Sequence, residues 1–254
     1  MRDLNHDPRP KVLIASPHTG ECHWIFKESL LSIYRKTDPE KVQIFDRGCC
    51  GSNIAENQNA LVDQAEENGM DYILFLETDM GVPGEALQLL LSHGKDIVGC
   101  TYPFKDHDLL ARNLADEKAN LRYMGQELDC SAFTFRSLVE GEPLRRVKFV
   151  PMGLTLISMR AIRAVQAYRT SITNPPLPEG MKACAFRHAE AVLPNYKRTA
   201  ITTTDSVFCY DAADAGIEVW LDARLSLLVE HVGMANYAML PHTWAPPEML
   251  EQSQ

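Results

Sequence analysis

The apolar run Tyr72-Ile73-Leu74-Phe75-Leu76 is the feature that most constrains the fold of this chain. Continuous apolar residues without polar alternation are typical of a strand that is buried on both faces, and such strands belong to parallel sheets covered by helices. The run ends abruptly in Glu77-Thr78-Asp79. The sequence therefore predicts a central strand with two carboxylates at its carboxyl end.

Strand and helix patterns alternate around this central strand. Short apolar runs predict strands at residues 11–17, 42–45, 96–100, 147–151, 154–157, 217–221 and 225–229. Periodic apolar residues predict helices at residues 21–34, 54–69, 83–91, 160–168 and 205–216. Alternating strands and helices indicate an α/β fold with a central, mostly parallel sheet flanked by helices.

Composition limits the domain organisation. The chain has 254 residues, of which 45% are apolar, so we expect one domain at residues 11–235 between tails at 1–10 and 236–254. No apolar run of about 18 residues or signal-peptide core is present, so we expect a cytoplasmic protein without a membrane span. Seven cysteines without a CxxC motif favour free thiols, and a net charge of −9 argues against nucleic-acid binding through phosphate neutralisation alone.

Glu77 and Asp79 are the first candidates for chemistry. Ligands of open α/β sheets bind beyond the carboxyl ends of the strands. Two carboxylates separated by one residue can hold a divalent cation there, and hard oxygen ligands suit Mg²⁺ or Mn²⁺, which bridges substrate phosphates. The alternative is a solvated acidic turn.

His231 and Asp205 come next. His231 ends a predicted late strand and is either a third metal ligand or a hydrogen-bonded core histidine. Asp205 follows three threonines at a predicted helix start, so it is either the N-cap or a general base. The helix N-terminus is expected to stabilise its ionised form.

Further polar residues follow other predicted strands. Ser16, Pro17 and His18 end the first strand and Asp46 follows the second, where a nucleobase and ribose can bind. Tyr102 and Lys105 follow the strand at 96–100, and Lys105 can reach a phosphate. A solvated surface role is the alternative for each residue. A zinc site at His18, Cys22 and His23 is disfavoured because it lacks a fourth ligand at a usual spacing.

The order of these segments resembles the GT-A fold of nucleotide-diphospho-sugar transferases, of the family-2-like type that includes small phage and bacterial members. Residues 72–80 resemble the strand that ends in an acidic DxD-like motif, with Glu77 in place of the first Asp. Residues 97–103 and 149–157 resemble the two following strands, and 205–217 with 231–233 resemble the closing acidic helix and the metal-ligand histidine. Gln58 departs from the family's arginine before Asn59, and Thr204 from its glutamate.

The resemblance implies a metal-dependent glycosyltransferase with a GT-A domain at residues 11–235. It implies Mn²⁺ or Mg²⁺ at Glu77, Asp79 and His231, and Asp205 as the catalytic base. The implied donor, a nucleotide sugar of the UDP type, is assigned to Ser16, Pro17, His18, Asp46, Asn59 and Lys105. The sugar and acceptor pocket is assigned to Tyr102, Met152 and Gly153.

The acceptor stays open at this stage. The family modifies polysaccharide precursors, small molecules, or hydroxymethylated pyrimidines in phage DNA, and a phage protein would act in the host cytoplasm. Family analogy favours modified DNA, whereas the acidic net charge counts against it. Retention or inversion and the oligomeric state do not follow from the sequence.

Two other classes compete with this interpretation. Nucleotidyltransferases of the same fold carry a basic residue in the glycine-containing loop after the first strand, and residues 16–21 contain none. A non-catalytic nucleotide-binding protein would tolerate the loss of Asp79 or His231, and both are present.

Overall fold

The computed structural model describes residues 7–104, 123–193, 198–232 and 236–238. The strands are β1 (Lys11–His18), β2 (Gln43–Cys50), β3 (Tyr72–Leu76), β4 (Met80–Gly81), β5 (Ile97–Gly99), β6 (Leu144–Val147), β7 (Leu154–Ser158), β8 (Ala189–Leu193), β9 (Arg198–Thr202), β10 (Val219–Asp222), β11 (Glu230–Val232) and β12 (Asn236–Ala238). The helices are α1 (Trp24–Lys36), α2 (Ile54–Glu67), α3 (Ala86–Ser92), α4 (Phe135–Glu140), α5 (Met159–Ile172), α6 (Thr204–Asp214) and α7 (Ala223–Ser226).

Seven strands form the central sheet in the order β2-β1-β3-β7-β5-β10-β6. The pairing makes β1, β2, β3, β5 and β10 run in one direction, whereas β7 and β6 run against their neighbours. The predicted α/β fold, with a mostly parallel sheet flanked by helices, is confirmed.

Both faces of β3 are buried, as its apolar run predicts. Ile73 and Phe75 pack on the face covered by α2, α5 and α6, and Leu74 and Leu76 pack on the face covered by α1 and α3. All four side chains are inaccessible to solvent. Burying a side chain of this size stabilises a fold by about 1.5–3 kcal/mol, so β3 contributes to the core on both sides of the sheet.

Side-chain caps fix where two helices begin. Asn53 accepts hydrogen bonds from the backbone N–H groups of Ala55 and Glu56 at the start of α2. Thr203 accepts one from Ser206 at the start of α6. Asp205 therefore lies in the first turn of α6 and is not its N-cap, because Thr203 already fills that position.

The prediction of a strand at residues 225–229 is wrong. Residues 223–226 form the short helix α7, whose cap is Asp222 accepting from the backbone N–H of Leu225 at 2.8 Å. The strand follows at Glu230–Val232. Leu225, Leu227 and Val229 are buried. Their apolar character is explained by core packing, which a helix and an irregular segment satisfy as well as a strand does.

Two smaller sheets accompany the central one. β4 and β11 pair antiparallel, with Met80 opposite His231, and β12 pairs with β11 on its other side. β8 and β9 form a separate antiparallel pair. β12 lies within the stretch that the sequence assigned to a C-terminal tail. Across the described residues, no helix combines the length and the apolar composition that crossing a membrane requires.

Candidate active site

A cleft of about 490 Å³ opens at the carboxyl ends of β1 and β3. Its lining comes from the end of β1, the connection to α1, the start of α2, the turn after β3 and the end of β11. It comprises Pro17, His18, Thr19, Glu21, His23, Ile54, Glu77, Thr78, Asp79 and Val232. A cleft in this place agrees with the rule that ligands of α/β sheets bind beyond the carboxyl ends of the strands.

The carboxylate of Asp79, which lines the cleft, lies next to the imidazole of His231, which is buried just behind it. Asp79 Oδ2 lies 3.8 Å from His231 Nε2. The backbone brings them together, because Val232 donates an N–H to the carbonyl of Asp79 at 2.7 Å and His231 pairs with Met80. The structure therefore juxtaposes two residues from distant parts of the chain.

The other ring nitrogen of His231 fixes the orientation of the imidazole. Nδ1 lies 3.0 Å from the carbonyl oxygen of Pro103. A carbonyl only accepts hydrogen bonds, so Nδ1 carries the proton, and in the neutral ring Nε2 presents its lone pair on the side of Asp79. A histidine whose second nitrogen donates to a carbonyl is the usual arrangement of a metal ligand.

Glu77 lines the cleft beside this pair. Its backbone N–H donates to the carbonyl of Gly153 at 3.1 Å. Within the part of the chain that the structure describes, no three His, Cys, Asp or Glu side chains lie close enough together to hold a metal as they stand. Asp79 and His231 thus form a two-ligand arrangement with Glu77 nearby, and the metal role of all three stays a prediction.

Tyr102 lies beneath the carboxylates in a fully buried position. Its ring packs edge-on against that of His231, with centroids 4.7 Å apart. Burial raises the pKa of its hydroxyl well above the usual value, and the negative charges of Glu77, Asp205 and Asp79 raise it further. The hydroxyl therefore stays protonated and neutral. Tyr102 supports the site from below and does not line the cleft.

Asp205 approaches the same region from α6. Its Oδ2 accepts the backbone N–H of Met152 at 3.1 Å and its Oδ1 accepts the hydroxyl of Thr204 at 3.0 Å. Burial raises the pKa of the carboxyl, while the hydrogen bonds from Met152 and Thr204 lower it, and the net direction is upward. Desolvation thus outweighs whatever stabilisation of the ionised form the helix start supplies.

The predicted sugar and acceptor pocket is part of the same buried layer. Met152 and Gly153 are buried where the chain enters β7. The backbone N–H of Gly153 donates to the Tyr102 hydroxyl at 2.9 Å. These residues connect Asp205 to Glu77 through backbone hydrogen bonds and do not line the cleft.

The predicted donor-binding residues divide into two groups. Pro17 and His18 line the cleft, and Ser16 is buried just before them in β1. Asp46 does not line the cleft, because β2 continues to Cys50 and the carboxylate of Asp46 accepts the hydroxyl of Tyr34 at 2.6 Å.

Asn59 and Lys105 complete that predicted set. Both ends of the Asn59 amide bond the backbone of Phe186, at 2.8 and 2.9 Å, and the amide nitrogen also donates to Ala55. Asn59 therefore holds a neighbouring segment in place and is not among the residues that line the cleft. Lys105 lies outside the described residues.

Six residues that line the cleft were not assigned to the site from the sequence: Thr19, Glu21, His23, Ile54, Thr78 and Val232. Thr78 donates its hydroxyl to the carbonyl of Glu21 at 2.7 Å, and its own carbonyl accepts the N–H of His23 at 2.9 Å. These two bonds tie the connection between β1 and α1 to the turn that carries Glu77 and Asp79. The position of Thr78 between two acidic residues was the available signal.

No family model and no curated protein sequence matches this chain. Its structure is similar to the crystal structure of A197 from STIV, with a TM-score of 0.47 and 14% identity over 91% of this chain and 95% of that one. It is also similar to a glycosyltransferase involved in the glycosylation of the major capsid of PBCV-1, with a TM-score of 0.33 and 10% identity over 66% of this chain and 72% of that one. Similarity at this level assigns neither a family nor an activity to the chain.

Proposed function

We propose that this chain is a metal-dependent glycosyltransferase that moves a sugar from a nucleotide diphosphate donor, a UDP-sugar, to an acceptor hydroxyl. The observation that carries the proposal is the distance of 3.8 Å between Asp79 Oδ2 and His231 Nε2, with Asp79 lining the cleft. A carboxylate and an oriented imidazole at a strand end suit a divalent cation that faces a diphosphate.

The donor atoms fit Mn²⁺ or Mg²⁺. Asp79 and His231 would hold the cation through a carboxylate oxygen and an imidazole nitrogen that lie 3.8 Å apart. Glu77 would supply a further oxygen ligand. The cation, when bound, would neutralise charge on the departing nucleoside diphosphate.

Asp205 is proposed as the general base. The acceptor hydroxyl gives its proton to the carboxylate, its oxygen bonds to the anomeric carbon, and the bond from that carbon to the diphosphate oxygen breaks. Each carboxylate oxygen accepts one protein hydrogen bond and keeps a second lone pair for the proton. A pKa raised by burial favours this role, since a base is most effective when its pKa is near the working pH.

The donor is proposed to lie along the cleft. Its nucleoside part would contact Pro17, His18 and Thr19, and its diphosphate would face Asp79 and His231. Tyr102, Met152 and Gly153 would support the sugar from the buried side. The net charge of −9 gives no support to a DNA acceptor, so hydroxymethylated DNA is one acceptor to test beside polysaccharide precursors and small hydroxyl compounds.

The proposal is tested by incubating the protein with a panel of nucleotide sugars and MnCl₂ and measuring the released nucleoside diphosphate, with and without each acceptor. Transfer or donor hydrolysis with a UDP-sugar is expected. Binding without any release would favour the non-catalytic alternative, and purine nucleotides competing as well as UDP would contradict the assigned donor.

The metal site has its own variant. Asp79→Ala should abolish manganese-dependent UDP binding in calorimetry, because the diphosphate then lacks a held cation. Asp38→Ala, which removes a half-exposed carboxylate from the connection between α1 and β2, is the control and should bind UDP normally. An unchanged UDP affinity in the Asp79 variant would exclude this metal site.

A further inference from the structure

Asn57, in the second turn of α2, joins the ends of two neighbouring strands. Its amide nitrogen donates to the carbonyl of His18 at 3.1 Å and to the carbonyl of Gly51 at 3.0 Å. Gly51 also donates its own N–H to the carbonyl of His18 at 3.1 Å. One side chain thus links the residue that ends β1 to the residue that follows β2.

Asn57 leaves no space for a side chain at position 51. A methyl group on Gly51 would lie 2.6 Å from Asn57 Oδ1, closer than carbon and oxygen tolerate. The amide cannot move away without losing its bonds to His18 and Gly51. The close approach of the two residues therefore requires a glycine at position 51 and a short amide at position 57.

Asn57 is also shielded from solvent. Only 4% of its surface is exposed, and its Oδ1 accepts the thiol of half-buried Cys49 at 3.7 Å. Both amide hydrogens and the amide oxygen are therefore engaged in the interior. A buried amide with all its groups paired holds its partners more firmly than an exposed one, because water does not compete for the bonds.

The consequence for the cleft falls on His18, which lines it. The carbonyl of His18 accepts from both Gly51 and Asn57, while its ring Nδ1 accepts the N–H of Gly20 at 3.2 Å. An accepting Nδ1 places the proton of the neutral ring on Nε2. The imidazole is then a donor whose position depends on the backbone that Asn57 holds.

We propose that Asn57 is a positioning residue for the nucleoside end of the donor, acting through the joined ends of β1 and β2 that place His18 in the cleft. The inference rests on the proposed glycosyltransferase function. It assigns the nucleoside, and not the diphosphate or the sugar, as the part of the substrate that depends on Asn57.

The test compares Asn57→Ala and Asn57→Asp with Asn68→Ala, which removes an exposed amide from the end of the same helix. Asn57→Ala is expected to raise KM for the UDP-sugar about tenfold and to leave kcat within about twofold. The two hydrogen bonds that it removes position the ends of β1 and β2, and neither bond involves a reacting atom. Asn57→Asp keeps the shape and loses both donors, so its KM should rise at least as much. Asn68→Ala should match the wild type.

A second measurement does not depend on activity. Alkylation of Cys49 by a maleimide, measured by peptide mapping, should be faster in Asn57→Ala. The thiol then lacks the amide oxygen of Asn57, and the ends of β1 and β2 are no longer linked by the side chain. Cys130, which is exposed and whose sulfur accepts a hydrogen bond from Lys148 away from α2, is the internal reference. Gly51→Ala should reproduce both effects, and the double variant Gly51→Ala with Asn57→Ala should be less impaired than the sum of the two.

The outcomes separate the two proposals. An unchanged KM with unchanged Cys49 labelling, or a lowered kcat at constant KM, would overturn the positioning role while the enzyme remains established by the wild type. If the wild type neither binds nor cleaves any nucleotide sugar, the proposed function fails and the nucleoside assignment fails with it. Equal rates of Cys49 labelling in the wild type and Asn57→Ala would then also reject the linkage between the ends of β1 and β2.

Discussion

The backbone N–H of Gly153 donates a hydrogen bond of 2.9 Å to the hydroxyl of Tyr102, and a methyl group on Gly153 would overlap that same oxygen. Tyr102→Phe keeps the ring against His231 but leaves the Gly153 N–H buried without its acceptor. We expect a loss of about 1–3 kcal/mol in the free energy of unfolding, measured by urea denaturation. Gly153→Ala should also destabilise, and combining it with Tyr102→Phe should cost less than the sum. Additive losses would contradict the contact.

Thr78 provides a test of the link between the β1–α1 connection and the turn after β3. Thr78→Val keeps the shape and removes the hydroxyl that donates to Glu21. The bond is exposed, so the free energy of unfolding should change by less than about 1 kcal/mol, while KM for the donor should rise a few-fold as the connection loosens. Thr173→Val removes a similar hydroxyl–carbonyl bond at the end of α5 and should leave KM unchanged. Equal KM values in both variants would count against the link.

Asp205→Asn should separate donor binding from sugar transfer. The amide oxygen can still accept from Met152, and the amide nitrogen can face the hydroxyl of Thr204, so the fold is expected to persist. UDP affinity should stay near that of the wild type, while transfer falls by about 10²–10⁴-fold through loss of the base. A normally folded variant that transfers at the wild-type rate would make Asp205 structural and favour a retaining mechanism.

The raised pKa of Asp205 also predicts a pH dependence. The base must be ionised, so transfer by the wild type should fall as the pH drops through a pKa above 3.8. In the unfolded chain the group ionises at its usual pKa, so above 3.8 the unfolded state holds fewer protons and Asp205 lowers stability as the pH rises. The stability of Asp205→Asn relative to the wild type should therefore increase from pH 4 to neutral pH, in denaturation measured across that range. A constant difference would contradict the shift.

Asp211 lies between two arginines where α5, α6 and the segment after α5 meet. Its carboxylate is 3.5 Å from Arg169 and 3.6 Å from Arg187, and Arg169 is almost as buried as Asp211. Asp211→Ala leaves buried positive charge without its partner, so the free energy of unfolding should fall by about 3–5 kcal/mol. Glu140→Ala, which breaks the exposed pair with Arg136, should cost less than about 1 kcal/mol. Similar losses of unfolding free energy in Asp211→Ala and Glu140→Ala would show that the burial of Arg169 and Asp211 does not increase the cost of breaking their ion pair.

The sequence predicted the candidate site best where acidic side chains directly follow a buried strand. The apolar run of β3 predicts a doubly buried strand, and that position alone directs Glu77 and Asp79 to the ligand edge of the sheet. The direction of β7 could not be predicted from the sequence, because an apolar run has the same pattern in a parallel and an antiparallel strand. Its antiparallel pairing with β3 and β5 became apparent only in three dimensions.

Residues with distant partners were the hardest to assign. Asp46 was expected at a strand end, but β2 continues through Gly48 and Cys50 because it pairs with β1 over its whole length. Asn57 and Asn59 lie two positions apart on α2, yet one bonds the ends of β1 and β2 and the other bonds Phe186. Nothing in the local sequence distinguishes these partners, since they come from elsewhere in the chain.

The strand that brings His231 to Asp79, β11, pairs with its neighbours through few residues. β4 has two residues and β11 has three, whereas the central sheet contains strands of up to eight. Short pairings with few hydrogen bonds open at a lower free energy than a core sheet does, and they open without global unfolding. The amide of Val232, which bonds the carbonyl of Asp79, should then exchange its hydrogen faster than that of Leu74 in β3. Low denaturant would separate Asp79 from His231 while the seven-stranded sheet remains folded, so the site would lose its function before the protein loses its fold.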